Sequence, residues 1–528
     1  MDRIRRFWGW GFDDAGLTKD EDRRLAERVR PFMPVAEAPV APPTIDEIGL
    51  GPAALAPPSS LAPWCEVSDL ARASHTYGKS FRDIVRALER RFERPPDVVA
   101  SPPDEAGVVD VLDWAATVDA VVIPYGGGSS VVGGVEAPPG DDRPVISLDL
   151  GRLDRVLEVD TVSRAALIQG GVFGPSLEEQ LRPHRLTLRH YPQSFEVSSL
   201  GGWIATRSGG HFASLHTHID DFVESVRAVT PAGVSESRRL PGSGAGPSPD
   251  RLLIGSEGIL GVITAAWMRL QDRPTFRASS VARFDSFTAG ARAARALAQS
   301  GLWPTNCRLL DAGEALMTGA GRGDAHLLLI AFESADHPVD GQLARALELA
   351  RDFGGVVDSP EDARAVGADA SAAWRAAFLR APYVRDSLVR LGLISETFET
   401  AITWDRFDLF VERIRQTTED ALRRVNAWPG VVTCRLTHVY PDGAAPYFTV
   451  LAPGDGLRRL DQWGEVKRAV IGAIGSGGGT VTHHHAVGRD HRPGYDLERP
   501  ELFAQQLRAA KRAVDPTSML NPGVLIDP

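Results

Sequence analysis

Thr482-His483-His484-His485-Ala486-Val487-Gly488-Arg489 sets three imidazoles side by side. Histidine titrates near neutrality, so such a cluster beside a reactive cofactor is an acid–base device. Consecutive residues do not share one face of a strand or helix, so the three alone make an awkward metal site, and no metal is expected. A second chemical stretch lies far upstream: Pro124-Tyr125-Gly126-Gly127-Gly128-Ser129-Ser130-Val131-Val132-Gly133-Gly134. Three adjacent glycines leave the backbone without Cβ atoms, so successive N–H groups can turn toward one anion, and Ser129 and Ser130 add hydroxyl donors. The loop suits a pyrophosphate, yet it is neither GxGxxG nor a P-loop with its lysine. Taken alone, it reads equally well as a glycine-rich turn that binds nothing.

Two later stretches share its character: Gln193 to Gly210, with Ser194, Ser198, Ser199, Gly202, Thr206, Arg207 and Gly209, and Gly255 to Thr264, with Glu257, Gly258, Leu260, Gly261, Val262 and Ile263. In this order the three segments resemble the flavin domain of the vanillyl-alcohol oxidase superfamily, the p-cresol methylhydroxylase fold, over roughly Arg94 to Arg273. The resemblance implies FAD bound by Pro124, Tyr125, Gly126, Gly127, Gly128, Ser129, Ser130, Gln193, Ser194 and the residues just named. The loop from Tyr125 to Val131 has no histidine or cysteine to link the isoalloxazine, so the FAD is expected to be non-covalent.

The elements that must hold these segments follow from periodicity. Thr18 to Arg30 reads as a helix with a Thr18/Glu21 capping box, and Ser80 to Phe92 as an amphipathic helix. Pro34 to Pro63 is rich in Pro and Ala and is expected to lie extended over the surface. From Pro95 strands and helices alternate, with Val121 to Pro124 the strand that feeds the glycine loop. Beyond Arg273 the pattern becomes α+β, with strands at 307–310, 326–332, 430–440 and 446–451 and helices at 291–299, 342–353, 372–379, 407–426, 462–474 and 500–514. The fold class expected is α+β: an N-terminal helical and Pro/Ala-rich segment (1–93), a two-subdomain FAD-binding domain (94–273), and an α+β cap whose C-terminal helices return to it (274–528).

Composition narrows the partners. At 528 residues, 43% hydrophobic and 24% charged, the chain should form two or three globular domains. A net charge of -11 offers no basic stripe for nucleic acid. Cys65, Cys307 and Cys434 are three scattered thiols, which favours a reducing compartment over a disulfide scaffold. No apolar run suits a bilayer span, and neither a signal peptide nor an organelle-targeting leader is legible, so a cytoplasmic location is expected. The basic, aromatic start from Arg3 to Phe12 raises peripheral contact with an anionic membrane as an expectation.

The resemblance narrows further, to the alkyldihydroxyacetonephosphate synthase family. It rests on Trp8-Gly9-Trp10-Gly11, Ser74-His75-Thr76-Tyr77-Gly78-Lys79, Cys307-Arg308-Leu309-Leu310-Asp311, Tyr383-Val384-Arg385-Asp386 and Glu396-Thr397-Phe398-Glu399-Thr400. Trp404-Asp405-Arg406, Thr433-Cys434-Arg435-Leu436-Thr437, Pro446-Tyr447-Phe448 and the histidine triple complete it. It implies a homodimer that replaces the acyl group of acyl-dihydroxyacetone phosphate with a fatty alcohol, the substrate being held at the flavin N5 with no net redox change. His483, His484 and His485 would then handle protons, Tyr447 would act as an acid–base group, Arg385 would clamp the phosphate and Arg308 would sit at the site. Two departures stand out: Gln193 replaces an acidic residue beside the flavin, and the link from Met317 to His326 is shorter than in eukaryotic members. The alternative is a flavin-linked 2-hydroxy-acid dehydrogenase or oxidase, with His485 as base and Arg385 holding a carboxylate.

Overall fold

The computed structural model describes residues 3–212, 214–357, 360–426 and 428–527, the side chains of 360–373 and 375 aside. Three sheets carry the site. The first is four-stranded, in the order Cys65–Glu66, Val98–Ala100, Val145–Asp149, Val121–Tyr125, with its last three strands parallel. Val98, Val99, Ala100, Val121, Val122 and Ile123 are all buried, as continuous apolar runs must be in a sheet covered on both faces. Helix Glu105–Thr117 packs on it, started by Asp104, whose carboxylate accepts from the Gly107 N–H at 3.0 Å. The Val121–Tyr125 strand therefore delivers the glycine loop at the carboxyl end of a parallel sheet.

The second sheet is antiparallel and five-stranded, in the order Val156–Asp160, Ala165–Gln169, Val262–Arg269, Val223–Thr230, Gly233–Glu236. Helices Gly174–Leu181 and Leu200–Thr206 close its core around Leu177, Trp203, Phe222 and Met268. The C-terminus touches both sheets: Val122 of the first donates its N–H to the Met519 carbonyl and accepts from Asn521 N–H, while Val524 to Ile526 join the core of the second.

The third sheet runs Phe276–Phe284, His326–Ser334, Asn306–Leu310, Val431–Val439, Gly443–Pro453, Leu393–Glu399, and Ile402–Thr403 adds to the Gly443–Pro453 strand. Its neighbours are antiparallel throughout. Side chains alternate across a strand. Cys307, Leu309, Cys434, Leu436 and Phe448 accordingly enter the core under helices Phe287–Gln299, Phe407–Asn426 and Arg459–Gly477. Arg308, Arg435, Thr437 and Tyr447 point the other way, into the cavity shared with the flavin segments.

Two differences from the periodicity reading have physical reasons. The helix expected over 372–379 is part of Pro360–Arg390, which continues through Pro382 although proline supplies no N–H there. The Leu393–Glu399 strand was not legible, because Glu396 and Glu399 break an apolar strand pattern. Both carboxylates are satisfied inside the fold: Trp463 Nε1 donates to Glu396, and Glu399 faces the histidine triple.

Candidate active site

The glycine loop is packed too closely for any other residue. A Cβ at Gly126 would meet Ser199 Oγ at 2.1 Å, and one at Gly127 would meet the Val197 carbonyl at 1.7 Å. Gly128 has φ +65°, a left-handed conformation that glycine adopts without cost. Behind the loop, Lys79 N–H donates to the Ser130 carbonyl at 2.6 Å, and the Tyr125 hydroxyl donates to the Ser74 carbonyl at 3.0 Å. The Ser74–Lys79 motif is thus the loop's backing.

A cavity opens on this loop, lined by Pro124, Tyr125, Gly126, Gly127, Gly128, Ser129 and Ser130. The same cavity is lined by Gln193, Ser194, Ser198, Ser199, Gly202, Thr206 and Gly209, by Glu257, Gly258, Gly261 and Ile263, and by Arg308, Tyr447, His484 and His485. A nest of backbone N–H groups and two histidines on the wall of one cavity fit a dinucleotide flavin, whose pyrophosphate the loop would take. Three expected contacts lie off this wall. Leu260 and Val262 are buried in the cores beneath it. Arg207 turns outward, its Nε donating to Asp220 at 3.0 Å.

A second chamber adjoins the first through Trp10, Val131, Gln193, Phe378, Arg435, Tyr447 and His485, which line both. Its own wall is largely apolar, with Phe81, Met317, Trp374, Val384, Leu388 and Leu451, and Arg385 opens onto it. Gln193 Nε2 donates to the Phe378 carbonyl at 2.8 Å, fixing the junction. The N-terminal Trp-Gly-Trp-Gly motif closes the chamber from outside. Trp10 N–H donates to Asp386 Oδ2 at 2.6 Å, and a Cβ at Gly11, with φ +68°, would strike the Tyr383 hydroxyl at 2.0 Å.

The histidine triple is held by its backbone. Glu399, 2% exposed, accepts from the N–H of His483 at 2.5 Å and from those of His484 and His485 at 3.0 Å each, and the Thr482 hydroxyl donates to it as well. Glu257 does the same for the following turn, accepting from Val487 and Gly488 N–H at 2.8 Å each. Burial pushes both carboxyls up to about 7. His485 forms an edge contact with Tyr447, and His484 stacks on it, with ring centroids 5.7 and 6.1 Å apart. Burial, reinforced by Lys467, Arg435 and Arg385, lowers His485 to about 3, and burial also holds His483 and His484 well below their ordinary range. All three are therefore neutral imidazoles near pH 7. His483 lies behind the wall that His484 and His485 form. His438, absent from the expected set, lines the cavity beside His484, and one nitrogen each of His438, His483 and His484 lie within 4.8 Å of one another.

The cations differ in how they are satisfied. Arg308 is fully buried, stacks 3.9 Å from the centroid of Trp374, and donates from Nη2 to the His211 and Thr437 carbonyls at 3.3 and 3.4 Å. Among the described residues its Nε and Nη1 have no partner, and burial pulls it down to about 9. Such an unsatisfied guanidinium is a ready anion clamp. Arg385 pairs with Asp386 at 3.0 Å, although its buried Nε, too, has no partner among the described residues. Arg435, which the motif reading quoted without a role, pairs with Glu314 and lies 3.8 Å from the centroid of Tyr447. Only the strand register, which puts 308, 435 and 447 on one face, could have marked it.

Comparison with known proteins agrees with this geometry. Residues 96–236 match the model of an FAD binding domain, and residues 273–525 match that of the C-terminal domain of FAD linked oxidases. The chain is 30% identical over 485 residues to an alkyldihydroxyacetonephosphate synthase of Dictyostelium discoideum, covering 87% of this chain and 77% of that one. It is 25% identical over 447 residues to a mitochondrial D-lactate dehydrogenase (cytochrome) of Arabidopsis thaliana, covering 82% and 74%. A solved alkyldihydroxyacetonephosphate synthase superposes with a TM-score of 0.80 over 98% of this chain and 97% of that one at 24% identity. p-Cresol methylhydroxylase superposes with a TM-score of 0.69 over 97% and 98% at 14% identity, which shares the fold. The nested glycine loop, the cavity it shares with the other two glycine-rich segments and the histidine wall thus sit in a chain that belongs to the alkyldihydroxyacetonephosphate synthase family of FAD-dependent enzymes.

Proposed function

We propose that the protein replaces the acyl chain of acyl-dihydroxyacetone phosphate with a long-chain alcohol, releasing a fatty acid and leaving an alkyl ether. The observation that carries this reading is the pairing of an apolar chamber with a buried, unsatisfied Arg308 at the flavin cavity. Arg308, with Arg435 nearby, holds the phosphate dianion, and the chain lies along Trp374, Phe378, Val384 and Leu388. His484 and His485 take the proton beside the ketone, and Tyr447 serves as acid or base for the departing and entering oxygens. Burial of these groups excludes water, which would otherwise compete with the alcohol. Bound FAD supplies a reversible electron-pair exchange at N5, so no outside oxidant is consumed.

A 2-hydroxy-acid dehydrogenase is the second reading, favoured by the D-lactate dehydrogenase relative. A small acid leaves the apolar chamber without purpose. Adding acyl-dihydroxyacetone phosphate to the holoprotein under argon should perturb the flavin absorption, and D-lactate should leave it unchanged; the reverse pattern contradicts the transferase. A homodimer and peripheral membrane contact belong to the same reading and are tested by light scattering and vesicle flotation. Among the described residues, no helix is long and apolar enough to cross a membrane.

A further inference from the structure

His484 lines the flavin cavity, and behind it a file of imidazoles leads outward. His484 Nδ1 lies 2.9 Å from His483 Nδ1, and His483 Nε2 lies 3.2 Å from His218 Nε2. His218 Nδ1 ends the file, 3.1 Å from the backbone carbonyl of the exposed Arg207. A carbonyl only accepts, so His218 carries its proton on Nδ1 and its Nε2 is bare. His483 must then donate from Nε2, which bares its Nδ1, and His484 must donate from Nδ1. The one assignment without facing lone pairs thus leaves His484 Nε2 bare. Each ring is neutral, since burial depresses the basicity of all three.

We propose that His484, His483 and His218 form a proton relay, with His218 as its solvent exit and as the positioning residue that sets the tautomer of His484. A proton accepted at His484 Nε2 releases the Nδ1 proton to His483 Nδ1. The Nε2 proton of His483 passes to His218 Nε2, and the Nδ1 proton of His218 leaves to water beside Arg207. At each step one N–H bond forms as another breaks, no electrons are transferred, and the rings regain their starting tautomers by turning about Cβ–Cγ before the next turnover. The need for an exit rests on the function proposed above, because the released fatty acid ionises and one proton per turnover must reach solvent. His218 is fixed for this task by its bridge to Gly209 and by the Gly210 N–H to Thr217 carbonyl bond of 2.8 Å. Tyr440 Oη also lies 2.7 Å from His483 Nε2 and 3.2 Å from Thr217 Oγ1, so the phenol can accept from His483 while donating to Thr217, which leaves the tautomers as assigned.

Two measurements on the holoprotein test the relay. With 15N-labelled histidine, nuclear magnetic resonance reads each tautomer without any substrate, and the relay requires Nδ1–H on His218, Nε2–H on His483 and Nδ1–H on His484. A proton on His484 Nε2 overturns it, as does a stoichiometric metal on the purified protein, which would occupy the bare nitrogens. His218→Gln keeps a polar head of similar reach but cannot pass a proton. Ether formation should fall about tenfold or more with flavin content unchanged, and added 4-methylimidazole should restore it. An unchanged rate, or a loss that imidazole leaves in place, overturns the relay. A wild-type protein that makes no ether contradicts the proposed function instead, and the tautomers still decide the relay.

Discussion

The carboxylate of Glu399 accepts the backbone N–H of His484 at 3.0 Å while the His484 ring stacks on Tyr447, the residue of the neighbouring strand that pairs with Glu399. One strand pairing therefore sets both the height of the histidine triple and the place of the tyrosine.

Glu399→Gln should separate positioning from chemistry. The amide turns an NH2 toward N–H donors that need an acceptor, and a buried unsatisfied group costs about 1–3 kcal/mol. We expect a lower melting temperature and a turnover reduced about tenfold or more, with FAD still bound. Full activity in this variant contradicts the positioning role.

Arg308→Met should raise the KM for the phosphate-bearing substrate about tenfold or more, since a charge-assisted hydrogen bond contributes about 1.5–3 kcal/mol. It should not lower the melting temperature, because a buried cation with unmatched donors already opposes folding. Arg385→Ala should raise KM less, and Arg385→Lys less again, because Arg385 already has Asp386 as partner. A larger effect at Arg385 than at Arg308 reverses the assignment of the clamp.

Acid should destabilise the fold before it protonates the site. Burial lowers His190, His438 and His485 to about 3, and His483, His484 and His491 lie well below the ordinary range. Unfolded, each binds a proton below pH ~6.5, so each withdraws up to about 1.4 kcal/mol of stability per pH unit below that point. Glu257 and Glu399, raised to about 7, act in the opposite sense between pH ~7 and ~4.5 and offset part of the loss. The melting temperature should fall clearly from pH 7.5 to 5.5, and a flat profile contradicts the buried, neutral histidines.

The flavin should leave with the supernatant when the protein is denatured in acid and filtered. Yellow colour retained on the polypeptide contradicts the non-covalent assignment.

Local signals made much of this site legible. Ser80 and Thr18 start their helices as their spacing requires, each with a complete capping box. The glycine loop was legible because only glycine tolerates Ser199 and the Val197 carbonyl at such range. The positioning residues were not. Glu399 and Arg435 matter through partners far along the chain, and a charged residue on a strand looks like a solvent-facing one until the register is known. His218 and His438 lie far from the triple in sequence and meet it only through tertiary packing. The second chamber likewise arises from elements as distant as Trp10, Trp374 and Leu451.

The central claim is a redox-neutral exchange on the flavin, and one measurement addresses it most directly. Purified holoprotein is incubated without oxygen or any electron acceptor, with acyl-dihydroxyacetone phosphate and a labelled fatty alcohol, and the label is followed into alkali-stable ether. The account predicts many turnovers per FAD, with one fatty acid released for each ether formed. No ether under these conditions, together with bleaching of the flavin by D-lactate or a related 2-hydroxy acid, contradicts it.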